Sequence, residues 1–236
     1  MTNFPIPNIN WPTELSDNFK KKLLSIAQQS TTLKNQSLNM LYDDNAGIYY
    51  LSDGIVTVYY TCDNTNSLQG MVCGPKDWLG SFDITSNSET CLLVEKLEEV
   101  NYLFFPSHKI KKLAETEPEV FAWLYYCTAK MQPKILQSML ICAHNKEIRI
   151  VYTLLTLANY QRVLLGQQTS LHINQQQLST ITGLSRPRIN EVLKKIEKDN
   201  EIVIERGKIH IIDKVALGKR LEPASLIFSD PRKIIA

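Results

Sequence analysis

The chain is poor in the residues that build metal centres and disulfide frameworks. It has four histidines in 236 residues, none at ligand spacing, so a metal-holding barrel of the cupin kind is not expected. The five cysteines (Cys62, Cys73, Cys91, Cys127 and Cys142) are odd in number and widely spaced, with no Cys-x-x-Cys pair. That pattern fits reduced thiols in the cytoplasm. No run of eighteen apolar residues occurs, so no membrane-spanning helix is expected. Met1-Thr-Asn-Phe-Pro5 lacks a basic segment leading into an apolar core, so no secretion signal is expected either. A Gly-rich phosphate loop and a nucleophile motif are both missing, and the expectation is that the chain is not an enzyme.

What is present is a globular composition, 44% hydrophobic and 21% charged, with charge unevenly spread. Residues 1–144 hold 11 Lys+Arg against 15 Asp+Glu, a net of −4, and residues 145–236 hold 15 against 9, a net of +6. Together these give the chain's formal +2. A basic C-terminal half beside an acidic N-terminal half points to a polyanionic partner for the former.

Within the basic half, residues 173–195 read as helix, tight turn and helix. Leu178 and Ile181 share one face of the first helix, and Ser179 is small enough to admit a close neighbour. Gly183 supplies the positive φ that ends that helix, and Leu184 tucks under the turn. Ser185 is expected to cap the second helix through its hydroxyl, with Pro187 in the first turn where a missing N–H costs nothing. Ile189, Val192, Leu193 and Ile196 form an apolar stripe; Arg186, Arg188, Asn190, Glu191 and Lys194 lie on the other face. A basic, amide-rich helix of this kind suits a DNA major groove. Residues 201–213 then give two β-rich runs around Arg206-Gly207-Lys208, a hairpin with a basic tip that would lie near phosphate.

Upstream, Pro5, Pro7 and Pro12 predict an extended arm over residues 1–12. Leu15, Phe19, Leu23 and Ile26 predict a helix over 13–29. From about 33 to 105 the signal is strand. Ser52-Asp53-Gly54 between two β-rich runs reads as a hairpin, and many short strands suggest a sandwich or barrel. A short helix over 106–115 precedes a longer one opened by Pro118. Phe121, Leu124, Thr128, Met131, Ile135, Ser138 or Met139, and Cys142 give that helix a near-heptad, as in a coiled-coil dimer. An ordinary core helix has the same pattern. Pro133 is expected to kink or break it near 129–132. Ile148 to Tyr160 is helical, with Asn145-Lys146-Glu147 as hinge.

This order of elements resembles the cyclic-AMP receptor protein / fumarate–nitrate regulator (CRP/FNR) family of bacterial transcription factors. The resemblance covers about residues 35–213 and is best at Tyr49–Val56, Asp77-Trp-Leu-Gly80, Glu147–Ala158 and Leu178–Ile196, Gly183-Leu-Ser-Arg186 being the most specific. It implies an α+β chain: an arm and helix (1–32), a cyclic-nucleotide-binding-like β-roll (33–116), a long dimerisation helix (117–144), a winged helix–turn–helix (145–213) and a tail (214–236). It also implies a cytoplasmic homodimer on double-stranded DNA, in possible contact with RNA polymerase. Arg186 matches the family's guanine-reading arginine. Pro187 replaces a base-reading glutamate and cannot make its contact. Glu191 stands where a second reading arginine is found; it either accepts from cytosine N4 or pairs with Lys194 or Lys195. Asn190 could read adenine if it faces the groove. Gln175, Ser185, Arg188 and Lys208 are expected on phosphates, positioning without specifying.

The ligand end departs from the family. Its Gly-Glu pair is Gly80-Ser81 here, no Lys or Arg lies between Asp77 and Glu95, and its adenine-facing Thr-Ser pair corresponds to Lys134-Ile135. A buried phosphate would be uncompensated, so control by cyclic AMP through that pocket is not expected. With Cys62 as the first cysteine, an N-terminal iron–sulfur cluster is not expected. Haem held by His108, His144, Cys73 or Cys91 is not expected, although Cys73 or Cys91 could serve as a thiol switch. An unknown small-molecule effector stays open. So does a second class of function, a ligand- or protein-binding β-roll whose helix–turn–helix serves association rather than DNA; the basic C-terminal half and Arg186 favour the regulator.

Overall fold

The computed structural model describes residues 9–12, 14–30, 37–39, 46–61, 70–80, 91–161 and 169–233. The chain divides into two compact units, one of Met1–Cys62 with Cys73–Gln132, the other of Asp63–Val72 with Pro133–Ala236.

In the first unit, helix α1 spans Asp17–Ile26, shorter at both ends than its periodicity predicts. Ser16 caps it by accepting from the Phe19 amide at 3.1 Å. At the other end Ala27 is already extended, because Gln28–Ser30 (β1) pairs antiparallel with Asn101–Pro106 (β8). Strand pairing there overrides helix propensity. Phe19 and Leu23 are fully buried and Leu15 nearly so. They join Ile48, Tyr50, Trp78, Leu103, Phe105, Ile110 and Trp123 in one core. All three tryptophans meet in it, Trp11–Trp78 at 5.6 Å and Trp78–Trp123 at 5.7 Å between ring centroids.

The Ser52-Asp53-Gly54 turn is not a hairpin. β3 (Gly47–Asp53) pairs with β8 and with β6 (Trp78–Leu79), whereas β4 (Val56–Thr61) pairs with β7 (Cys91–Lys96), which also takes β2 (Ser37–Asn39). The chain changes sheets at this corner. The register breaks between Leu51 and Asp53, and Gly54, at φ +81°, lies so close to Glu99 O that a Cβ would sit 2.1 Å from it. Only glycine fits such a corner. The sheet-rich first unit matches the expected N-terminal β-architecture. Most of the 1–12 arm and the phosphate cassette after Gly80 lie outside the described residues.

Ser107–Ala114 (α2) follows β8, and then α3 runs unbroken from Glu119 to Cys142 through Pro133. The expected break is absent. Proline forfeits one intrahelical bond, to the carbonyl of residue 129, and Ala129 is exposed, where water can satisfy that group. The heptad also needs correction. Leu124 and Met131 are core residues, 8% and 3% exposed, while Phe121, Tyr125 and Met139 are 59%, 76% and 65% exposed. The exposed or half-exposed stripe therefore runs through 121, 125, 128, 132, 135, 139 and 142.

The second unit holds α4 (Lys146–Tyr160), Met71 and Val72 of β5 (Met71–Cys73), β9 (Thr169–Leu171), α5 (Gln175–Thr182), α6 (Arg186–Lys198), β10 (Ile202–Glu205), β11 (Lys208–Ile211) and α7 (Lys214–Lys219). Its tail is tied down. Gln137 of α3 is fully buried. Its Nε2 donates to Ser225 O at 2.9 Å, and its Oε1 accepts from the Phe228 and Ser229 amides at 3.1 and 3.3 Å. Asn159 Nδ2 adds a bond to Pro231 O at 2.6 Å. Gln137→Leu leaves three backbone groups without their partner and is expected to weaken tail docking by about 1–3 kcal/mol. Amide exchange at Phe228 and Ser229 should quicken about tenfold or more; unchanged exchange would show that the amide does not hold the tail.

Candidate nucleic-acid interface

Three short-range devices position α5 and α6. Asn174 caps α5 in a reciprocal box, accepting from the Gln177 amide while Gln177 Oε1 accepts from the Asn174 amide, both at 2.9 Å. That Asn-x-x-Gln signal was legible in the sequence and marks the helix start at 175. Gly183 ends α5 in the left-handed region at φ 62°, as expected. Ser179 Oγ then donates to Leu184 O at 2.6 Å, pinning the turn, and Leu184 is buried. The last carbonyls of α5 find donors too: Ile181 O accepts from the Gly70 amide at 2.8 Å and Thr182 O from the Arg149 guanidinium.

Ser185 occupies the N-cap of α6 but makes no side-chain cap bond, contrary to expectation. Its carbonyl accepts the first intrahelical bond, from Ile189 N at 3.1 Å. Pro187 pre-sets the first turn, and the serine hydroxyl is left exposed. Ile189, Val192, Leu193 and Ile196 are at most 2% exposed, each contributing about 1.5–3 kcal/mol. Burying that stripe turns Pro187, Glu191, Lys194 and Lys198 outward, with Arg186 and Asn190 on one flank and Arg188 and Lys195 on the other.

Behind α6, β10 and β11 pair antiparallel from Ile202↔Ile211 to Glu205↔Lys208, closed by Arg206-Gly207, and β9 joins the far side of β11. The hairpin was expected; β9 was not, being only three residues long. Arg186, Gln175, Arg206 and Lys208 line one concavity of about 430 Å³ between the start of α5, α6 and the hairpin tip. The structure thus groups Gln175, Arg186 and Lys208. Ser185, Arg188, Asn190, Glu191 and Lys194 lie outside that concavity. Asn190 is half-buried, the other four exposed. Glu191 pairs neither with Lys194 nor with Lys195, but with Lys146 of α4 at 2.5 Å.

The sequence of residues 148–220 matches the Crp-like helix-turn-helix domain family. Those residues form a Crp-like helix–turn–helix domain. No curated protein sequence matches the chain. Among solved structures, the global regulator CLP of Xanthomonas campestris, described as c-di-GMP responsive, superposes with a TM-score of 0.65 at 19% identity, over 83% of this chain and 99% of that one. A CRP-family transcriptional regulator from Thermus thermophilus gives 0.64 at 14%, over 86% and 100%. FixK2 from Bradyrhizobium japonicum gives 0.62 at 15%, over 82% and 96%. The fold is therefore that of CRP/FNR-type regulators, as the motifs implied. Among the described residues no helix is long and apolar enough to cross a membrane.

Arg220, missed by sequence reasoning, ties this Crp-like domain together. Its Nε and Nη2 donate to Glu201 at 2.7 and 2.8 Å, Nη1 to Glu147 at 2.5 Å, and Nη2 also to Asp199 at 2.5 Å. Lys195 adds a second cation, 2.7 Å from Glu147. Start of α4, end of α6, start of β10 and end of α7 thus share one ion network.

Proposed function

We propose that the chain is a homodimeric, sequence-specific DNA-binding transcription regulator of the CRP/FNR type, not controlled by cyclic AMP through the family's pocket. The observation that carries this reading is the concavity shared by Arg186, Gln175, Arg206 and Lys208 inside a Crp-like domain. Arg186 reads guanine, while Gln175, Arg206, Lys208, the free Ser185 hydroxyl and Arg188 meet phosphates. Asn190 and Lys194 also belong to the DNA-facing set.

The exposed apolar groups of α3 support the dimer, because Phe121, Tyr125 and Met139 are large, apolar and recur at heptad spacing. Two-fold pairing also places two recognition helices on successive half-sites. Against cyclic AMP, Lys134 donates to Tyr160 Oη at 2.6 Å and lies over its ring.

The test is selection of bound sequences from random duplex DNA by purified protein without added ligand. A palindrome is expected, unchanged by cyclic AMP. A Tyr125→Glu/Met139→Glu variant should run as a monomer by light scattering and lose the palindrome. No enrichment, alone or with cell extract, would overturn the DNA-binding reading. An undisturbed dimer in that variant would move the dimer contact off α3.

A further inference from the structure

The pairing of Glu191 bears on base specificity. Lys146 opens α4, and its Nζ donates to Glu191 Oε2 at 2.5 Å. The next residue, Glu147, accepts from Lys195 at 2.7 Å. Two neighbouring residues of α4, of opposite sign, therefore hold two residues of α6 spaced one turn apart, also of opposite sign. This cross-pairing suits the register of α6 on α4 that the buried stripe sets, since a one-turn slip would set like charges against each other. Strength is not its contribution. The side chains of Lys146 and Glu191 are 38% and 65% exposed, and pairs so wet add little stability.

Its position is what matters. Glu191 stands on the outward face of α6, opposite the buried stripe. A lone carboxylate there would be repelled by the phosphates flanking a groove. Lys146 removes that penalty by neutralising it, and does so through Oε2 alone. Oε1 carries no bond among the described residues. A carboxylate oxygen can only accept. In the major groove, cytosine N4 and adenine N6 donate, whereas guanine O6 and thymine O4 accept.

We propose that Lys146 and Glu191 act as one reading unit that demands an amino base, cytosine or adenine, at one position of each half-site. Lys146 is then a specificity-determining positioning residue that works through Glu191 without touching the base. The inference rests on the DNA-binding reading above and adds the base class at that position.

The same selection, run with variants, tests it. Wild-type protein is expected to prefer cytosine or adenine about tenfold at one position per half-site, the worth of one hydrogen bond to a charged acceptor. Glu191→Ala and Lys146→Met should both lose the preference at that position and keep it elsewhere, whereas Lys146→Arg retains it. Exchanging the pair, Lys146→Glu with Glu191→Lys, should turn the preference to guanine or thymine, because an ammonium donates. Both sites are surface positions, and unchanged melting temperatures will confirm that the variants fold. A palindrome with no amino-base preference lost in Glu191→Ala overturns the inference and leaves the DNA-binding reading intact. A uniform loss of affinity in Lys146→Met, with base preference kept, overturns it too and makes Lys146 a phosphate contact. Failure of the wild-type protein to enrich any sequence overturns both.

Discussion

Replacing Arg220 by methionine is expected to destabilise the second unit by about 3 kcal/mol, the largest effect of any single change outside the hydrophobic cores. The side chain is 13% exposed, and its main partner Glu201 is 11% exposed. Methionine fills the volume but leaves Glu201, Glu147 and Asp199 converging on a site without its cation. One lysine, Lys195, remains for Glu147 alone. Removing one member of such a cluster costs more than the cluster contributes over an apolar replacement of all of it, because the remaining charges stay partly desolvated. Urea unfolding followed by far-UV circular dichroism measures the loss. Tryptophan fluorescence is a useful companion, since Trp11, Trp78 and Trp123 all belong to the first unit. It separates a loss in the second unit from a global one. A shift under about 1 kcal/mol would mean that water screens the network as it screens exposed pairs.

Acid should narrow that difference. Burial pushes the Glu147 carboxyl up, but the hydrogen bonds from Lys195 and Arg220 outweigh it and hold the group below its usual value. A depressed carboxylate stabilises the folded state fully above its unfolded pKa of about 4.3, and that stability is lost as pH falls through the lower folded value. Arg220 is driven the other way, first by its hydrogen bonds to Glu201, and stays charged throughout. Wild type and Arg220→Met should therefore differ most at neutral pH and converge below about pH 4. A difference independent of pH would point to lost packing instead.

The parts of this fold that the sequence made legible are those set by neighbours a few residues apart. The α6 stripe, the Gly183 turn and the basic hairpin each lie within a dozen residues, where periodicity and cap chemistry decide. The parts that were not legible depend on distant partners. Ser52-Asp53-Gly54 has the residues of a hairpin, yet its flanking strands choose β8 and β7 over each other. Leu124 and Met131 fit a heptad as well as their exposed neighbours do, and only the core they enter tells them apart. Arg220 lies 73 residues from Glu147 and Gln137 lies 91 from Phe228, separations at which composition gives no warning. In the candidate site, Arg186, Gln175 and Lys208 could be named from the motif. The partner of Glu191 could not, because Lys146 reads locally as the start of a helix.

Arg186→Ala is expected to be the most damaging change on the recognition helix. Arg186 is the first residue of α6 and is exposed, with no hydrogen bond or ion pair inside the described protein. Its guanidinium is therefore available at no internal cost. A fork donating to guanine O6 and N7 is worth about 1–3 kcal/mol against the wrong base. A two-fold dimer uses it twice, so operator affinity should fall by roughly 10²- to 10⁴-fold while non-specific binding changes little. Lys208→Ala supplies the contrast. A phosphate contact at the hairpin tip weakens all sequences alike and lowers the salt dependence by about one unit per contact. Binding of both variants to operator and to scrambled DNA, across a salt series, separates the two roles. If Arg186→Ala follows the lysine pattern, with equal losses on both DNAs and a shallower salt slope, the arginine holds the backbone. Discrimination must then come from the outward face of α6, where Glu191 and Lys194 stand.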